Sequence, residues 1–149
     1  MNLIRKTNKR RRGAAMVEVA VCFPIFMVIL LGIVEFGRAL MVSQLLTNAA
    51  REACRSAVIE GATNAEVEIE IDDLVTNTVD VSAGQITTTI TVTDQQNGAV
   101  DLSSTAIQNA DPRDLIEIEI EVTADAVSYT PGRFLDGSTL RGQCAMRKE

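Results

Sequence analysis

Histidine is absent from this chain of 149 residues. Its absence removes the commonest general base and the usual zinc ligand. The sequence also lacks a glycine-rich phosphate loop, a nucleophile motif and a calcium-loop pattern. Its acidic residues fall at periodic positions that are typical of solvent-exposed faces. We therefore predict that the protein is not an enzyme and that it uses no cofactor, no metal and no small-molecule substrate.

Acidic residues are missing from the first 12 positions, which hold six basic residues. The rest of the chain holds eight basic and 20 acidic residues. Basic residues beside a membrane segment keep that end in the cytoplasm, so the acidic remainder is expected outside the membrane. A basic run can also indicate nucleic-acid binding. Because an apolar segment follows this run directly, we favour a role in membrane topology and expect no nucleic-acid partner.

Charge is missing again from Val19 to Val34, a run of 16 residues. With residues 14–18 added, the helix is about 31 Å long, close to the roughly 30 Å of a bilayer core. The remaining chain is too short to wrap such a helix on all sides. We therefore predict a transmembrane helix over residues 14–38, with lipid as its surroundings. No small-x-small site follows it, so it does not resemble a cleaved signal peptide, whereas a cut at Gly13 would leave the anchor in place.

Neither proline nor a helix-ending glycine occurs between Arg38 and Gly61, so the helix is expected to continue to about Ile59. Pro24 is expected to kink or locally unwind it. Apolar residues recur on one face of the second half, which predicts packing on a soluble head. These residues are Val42, Leu45, Leu46, Ala49, Ala50, Ala53, Cys54 and Ala57.

The rest of the chain predicts a small α+β head. Thr63 and Glu66 match a capping box that starts a second helix, although residues 67–71 alternate as a strand would. Strands are expected over residues 86–93, 115–122 and 139–147, with a turn at residues 129–132 before the last. Residues 94–114 form either an extra element or a surface loop with a role. The fold is thus a long N-terminal membrane-spanning helix that extends into a head with a second helix and an antiparallel sheet of about three strands.

The segment from Gly13 to Arg55 resembles the TadE-like family, the minor pseudopilins of the tight-adherence (Tad) pilus, a type IV-like pilus, and related secretion systems. Val19 departs from the family pattern, which usually has an aromatic residue there. The residues that carry the resemblance are Gly13-Ala14-Ala15, Val17-Glu18, Pro24, residues 31–38 and residues 46–52.

The resemblance implies that a prepilin peptidase cleaves between Gly13 and Ala14. Residues 1–13 are then a basic leader, residues 14–38 the membrane helix and residues 39–149 an extracytoplasmic head. The implied partners are other pilin or pseudopilin subunits and the Tad assembly machinery, and the implied location is the bacterial inner membrane. Two other interpretations stay open. One is an uncleaved single-pass anchor whose acidic head binds an envelope partner, and the other is a subunit of a type II-like secretion pseudopilus.

Three sets of side chains are candidate sites. Glu18 is a carboxylate near the membrane edge, where an isolated charge is costly. We expect it either to pair with the amino group of Ala14 in a neighbouring subunit, which would set the register of assembly, or to lie solvated among headgroups. Glu35 and Arg38 are three residues apart on the helix, which favours an ion pair at the membrane interface over a contact with a specific partner. Cys54 and Cys144 lie in a compartment that permits a disulfide, which would close a loop of about 90 residues.

Overall fold

The structure, a computed structural model, describes residues 9–79, 81–128 and 134–148. Most of the predicted leader, residues 1–8, and the predicted turn at residues 129–132 lie outside the described residues. The α+β fold with a long N-terminal helix is confirmed. The helices are α1 (Lys9–Ala57), α2 (Asn64–Val79), α3 (Ala106–Asn109) and α4 (Ala124–Val127), and the strands are β1 (Ile86–Thr93), β2 (Val100–Asp101), β3 (Leu115–Thr123) and β4 (Thr139–Arg147).

Helix α1 is 49 residues long and divides into two halves with different surroundings. From Gly13 to Leu31 every side chain is exposed, and this half is long and apolar enough to cross a membrane. In the second half, the face formed by Ala39, Val42, Leu46 and Ala50 is buried. The helix continues through Pro24 without local unwinding, and the alternative expectation, a kink, stays a prediction. One continuous helix therefore joins an exposed apolar half to the core of the head.

Helix α2 begins with the predicted capping box. The Glu66 amide donates to the Thr63 hydroxyl at 3.3 Å, and the Thr63 amide donates to the Glu66 carboxylate at 3.3 Å. These two bonds satisfy amide donors that the first turn of a helix otherwise leaves unpaired. The buried face of α2 consists of Asn64, Val67, Ile71, Val75 and Val79, so the alternative strand over residues 67–71 is wrong.

The sheet is antiparallel in the order β2-β1-β3-β4, with one short strand more than we expected. Strand β3 is central and alternates as predicted, with its isoleucines buried while its glutamates face outward. Helix α1 packs across β3 and β4 on the apolar face, beside α2. The outer face is polar, and Arg141 on β4 contacts Glu119 at 3.2 Å and Glu121 at 2.9 Å.

Residues 94–114 form two short elements, β2 and α3, and not a structureless loop. Buried polar side chains hold them in place. The Asn64 side-chain oxygen accepts the Ile107 amide at 2.9 Å, and the Asp114 carboxylate accepts the amides of Gln95 at 3.1 Å and Asp111 at 2.9 Å. The Lys148 ammonium donates to the carbonyl oxygen of Ala110 at 2.8 Å. The segment is therefore a packed part of the head.

Gly142 marks the closest approach of the sheet to α1. A Cβ built on Gly142 would lie 2.2 Å from the carbonyl carbon of Leu46 and 2.3 Å from the amide nitrogen of Thr47. Both are backbone atoms of the helix, which a rotamer change cannot move. The absence of a side chain at this one position lets α1 lie directly on β4.

Candidate functional site

The predicted cleavage site lies on the exposed first half of α1. Apart from its own helix backbone, Gly13 has no atom within 4 Å of the position that a Cβ would take, so no other described element packs against it. A peptidase must bring its catalytic groups close to the backbone, and a residue without a Cβ obstructs this approach least. Glycine also weakens a helix by about 1 kcal/mol relative to alanine, which eases local opening.

Glu18 lies one helical turn after Ala14 and is exposed. Residues four apart share one face of a helix, so the carboxylate and the amino group that cleavage would create at Ala14 face the same side. A neighbouring molecule packed on this face would meet both groups. Between Glu18 and Glu35 no other acidic residue occurs, so Glu18 is the carboxylate at the N-terminal end of the apolar run.

Glu35 and Arg38 lie where the exposed half of α1 reaches the head, and both side chains bind the head. The buried carboxylate of Glu35 accepts the amides of Phe134 at 3.1 Å and Leu135 at 3.4 Å, and the Ser128 hydroxyl at 3.3 Å. Nε of Arg38 donates to the carbonyl oxygen of Val127 at 2.6 Å. The ion pair between Glu35 and Arg38 stays a prediction, whereas their role in tying α1 to the segment before β4 follows from these bonds.

Replacing Glu35 with alanine should loosen this junction. The substitution leaves the amides of Phe134 and Leu135 without their carboxylate acceptor, at a cost of about 1–3 kcal/mol. Hydrogen exchange of residues 134–148 in the detergent-solubilised protein should then become faster by about 5- to 150-fold. Glu52→Ala is the control, because Glu52 is exposed and pairs only loosely with Arg55, at 3.7 Å. Exchange as slow in Glu35→Ala as in Glu52→Ala would contradict the assigned role.

Cys54 on α1 and Cys144 on β4 lie in contact, as the predicted disulfide requires. The Cys54 thiol donates to the Cys144 carbonyl oxygen at 3.2 Å, and both cysteines are present as thiols. Burial, and secondarily the adjacent Cys144, raises the pKa of Cys54 to about 12 from a usual 9.0. The neutral thiol is thus the form that fits the folded head, and the disulfide stays a prediction.

The raised pKa of Cys54 predicts that the reduced protein loses stability in alkali. Above about pH 9 the unfolded thiol releases its proton while the folded thiol keeps it until about pH 12. The free energy of unfolding therefore falls by on the order of 1 kcal/mol for each pH unit between these two pKa values. Thermal unfolding of the reduced wild type and Cys54→Ala at pH 8 and pH 10 should show the additional loss in the wild type alone. A disulfide would abolish that loss, so protein prepared without reductant tests the bond itself.

Two further observations concern ligand binding in the described part of the head. No group of three or more Cys, Asp or Glu side chains among the described residues is placed to hold a metal ion. A small apolar pocket lies between α1 and α4, lined by Val34, Ala39 and Val127 beside Glu35 and Arg38. It belongs to the junction already described.

Comparison with known proteins bears on the N-terminal part of the chain. The profile of the TadE-like protein family matches residues 13–55, which confirms the resemblance predicted from the sequence. The matched segment contains Gly13, Glu18, Glu35 and Arg38 and ends two residues before the end of α1. No curated protein and no solved structure matches the chain.

Proposed function

We propose that this protein is a TadE-like pseudopilin, a structural component in the assembly of a Tad-type pilus. In this proposal its N-terminus lies in the cytoplasm, α1 crosses the bacterial inner membrane, and the head lies outside it. The family match over residues 13–55 supports the association with the Tad pilus. A prepilin peptidase removes residues 1–13, and the mature chain begins at Ala14.

The observation that carries the proposal is the division of α1 into two halves. An exposed apolar rod without a covering partner is stable only in lipid or against other apolar helices. The other half is built into the head, so the two parts are joined by one continuous helix. A subunit of this shape can be stored in a membrane by its rod and then packed into an assembly through the same surface.

The distribution of charge supports the orientation. The positions before Gly13 include Lys9 and three consecutive arginines, whereas the chain after them is strongly acidic. Basic residues next to a membrane helix hold their end on the cytoplasmic side, where the peptidase would meet the leader. The head, which carries the acidic residues, then lies on the opposite side.

Glu18 is the residue that we assign to assembly. An ionised carboxylate at the apolar end of the rod is costly unless a positive group neutralises it. The amino group created at Ala14 of an adjacent subunit is such a group, and it exists only after cleavage. Pairing between Glu18 and this amine would then fix how far one subunit is displaced along the next.

Removing the charge of Glu18 should abolish assembly while leaving processing intact. In a strain from which the gene is deleted we expect no surface pili. The wild-type gene should restore them, and Glu18→Ala should reduce them by more than about tenfold if the pair contributes at least about 1.4 kcal/mol per contact. Glu68→Ala is the control, since Glu68 is an exposed acid on α2.

Processing is followed by intact mass in the same strains. Cleaved but unassembled Glu18→Ala protein supports the assigned role. Normal pili from Glu18→Ala would contradict the register role, and normal pili in the strain without the gene would contradict the proposed function.

A further inference from the structure

The exposed surface of α1 stays apolar beyond the end of the charge-free run. After Val34 the next exposed large side chains are Phe36, Leu40 and Met41, with 53%, 66% and 60% of their surface accessible. The first exposed polar residue that follows is Gln44. We call Phe36, Leu40 and Met41 the collar. It lies on the part of α1 that the head covers on its other side.

The charged residues at the level of the collar face the head. Glu35 is bonded to the amides of Phe134 and Leu135, and Nε of Arg38 to the carbonyl oxygen of Val127, so both side chains point to the covered side of α1. The collar side therefore presents apolar surface without a charge that must reach water. Phe134, whose amide binds Glu35, is itself 44% exposed and adds an aromatic ring at the same level.

The length of the apolar surface decides between two positions of the membrane boundary. The charge-free run from Val19 to Val34 is about 24 Å long, which is short of a bilayer core of roughly 30 Å, and it reaches about 31 Å only if residues 14–18, with the charged Glu18, also lie in the core. The exposed apolar surface from Val19 to Met41 is about 34 Å long, which matches that core with a modest tilt. In this position Glu18 lies at the inner boundary while the protein is stored in the membrane, and it meets the amine of a neighbouring subunit only on assembly.

We propose that the outer boundary of the bilayer lies above the collar, so that lipid covers Phe36, Leu40 and Met41 and the base of the head rests on the membrane at Phe134. This inference rests on the proposed membrane anchoring. The exposed ring of Phe134 is wholly apolar, so it is suited to the boundary between headgroups and acyl chains. A head seated in this way keeps the Glu35 junction out of water while the protein is stored in the membrane.

Cysteine accessibility tests the position of the boundary. The full chain with Cys22→Ala is the parent, and its remaining Cys54 and Cys144 give the background rate. Leu40→Cys and Met41→Cys report on the collar, Gln44→Cys and Asn48→Cys are exposed controls on the same helix, and Ile29→Cys reports on the span. Each variant is placed in lipid nanodiscs, one copy per disc, and treated with a membrane-impermeant maleimide.

We expect both collar cysteines to react at least about tenfold more slowly than the Gln44 and Asn48 controls, because the impermeant maleimide stays in water, which the bilayer core lacks. If the collar cysteines react as fast as these controls while Ile29→Cys is protected, the proposed boundary is wrong but the membrane anchoring is supported. Protection that appears only with several copies per disc would show that a second copy covers the collar, which also overturns the proposed boundary. Rapid labelling of Ile29→Cys would instead refute the membrane anchoring itself.

Discussion

Replacing Gly142 with alanine is expected to cost more than about 3 kcal/mol and to lower the thermal midpoint of the head by more than about 10 °C. The added methyl group would lie 2.2 Å from the carbonyl carbon of Leu46. Since helix backbone blocks it, the only relief is to move α1 away from β4. That movement would open the core around Leu46, which is completely buried. Circular dichroism of the detergent-solubilised protein measures the change.

Gly84→Ala is the matched control for this substitution. A Cβ at Gly84 would meet no atom within 4 Å, and its φ lies outside the left-handed region, so alanine should fit without strain. We expect its midpoint to stay within about 3 °C of the wild type. If Gly142→Ala had the same thermal midpoint as Gly84→Ala, the close contact between α1 and β4 would be wrong.

Replacing Gly13 with glutamate is expected to abolish processing. The surroundings of Gly13 are open, so the substitution leaves the fold of the described residues unchanged and acts on recognition by the peptidase. A side chain at this position obstructs the approach of catalytic groups to the backbone, and a negative charge adds repulsion if those groups are acidic. The variant isolated from membranes should therefore retain residues 1–13 in full, which intact mass spectrometry detects directly.

Gly32→Ala serves as the control for the effect on processing. Gly32 lies on the same helix, and a Cβ there would also meet no atom within 4 Å. This variant should be processed as completely as the wild type. The leader hypothesis would fail if Gly13→Glu lost the same residues as Gly32→Ala.

Much of the fold could be predicted from local patterns. The alternation of Ile and Glu placed β3 with its correct faces, because the period of a strand fixes which side chains are buried. The Thr63–Glu66 box placed the start of α2, because both partners of a capping box lie within one turn. The last strand, residues 139–147, was predicted with the bounds that the structure gives. In each case the determining contacts are close in sequence.

The features that the sequence did not reveal depend on contacts between distant segments. The need for glycine at residue 142 exists only because α1 crosses β4 there, 96 residues from Leu46 in sequence. Glu35 looked like a membrane-interface charge, and its acceptor role became visible only with the amides of Phe134 and Leu135 beside it. The sequence left residues 94–114 open between an extra element and a surface loop, because two of the side chains that order them, Asn64 and Lys148, lie outside that segment.

Candidate site residues were accessible from sequence to different degrees. Gly13 and Glu18 were identified because a basic leader, small residues and an apolar helix follow one another directly in the sequence. This signal is local. The contact between Cys54 and Cys144 followed from compartment and cysteine number, and the structure brings these two residues together. The collar was missed because Glu35 and Arg38 interrupt the apolar pattern around Phe36, Leu40 and Met41. Only the head, which covers the other side of α1, shows that they are left exposed.

The intact mass of the wild-type protein purified from its native membrane tests the central claim most directly. A processed pseudopilin must begin at Ala14, so the mass should equal that of residues 14–149, with the amino group on which the role of Glu18 depends. A mass equal to that of all 149 residues would contradict the account. The protein would then be a permanent single-pass anchor, and its likeness to the TadE-like family would describe its origin and not its function.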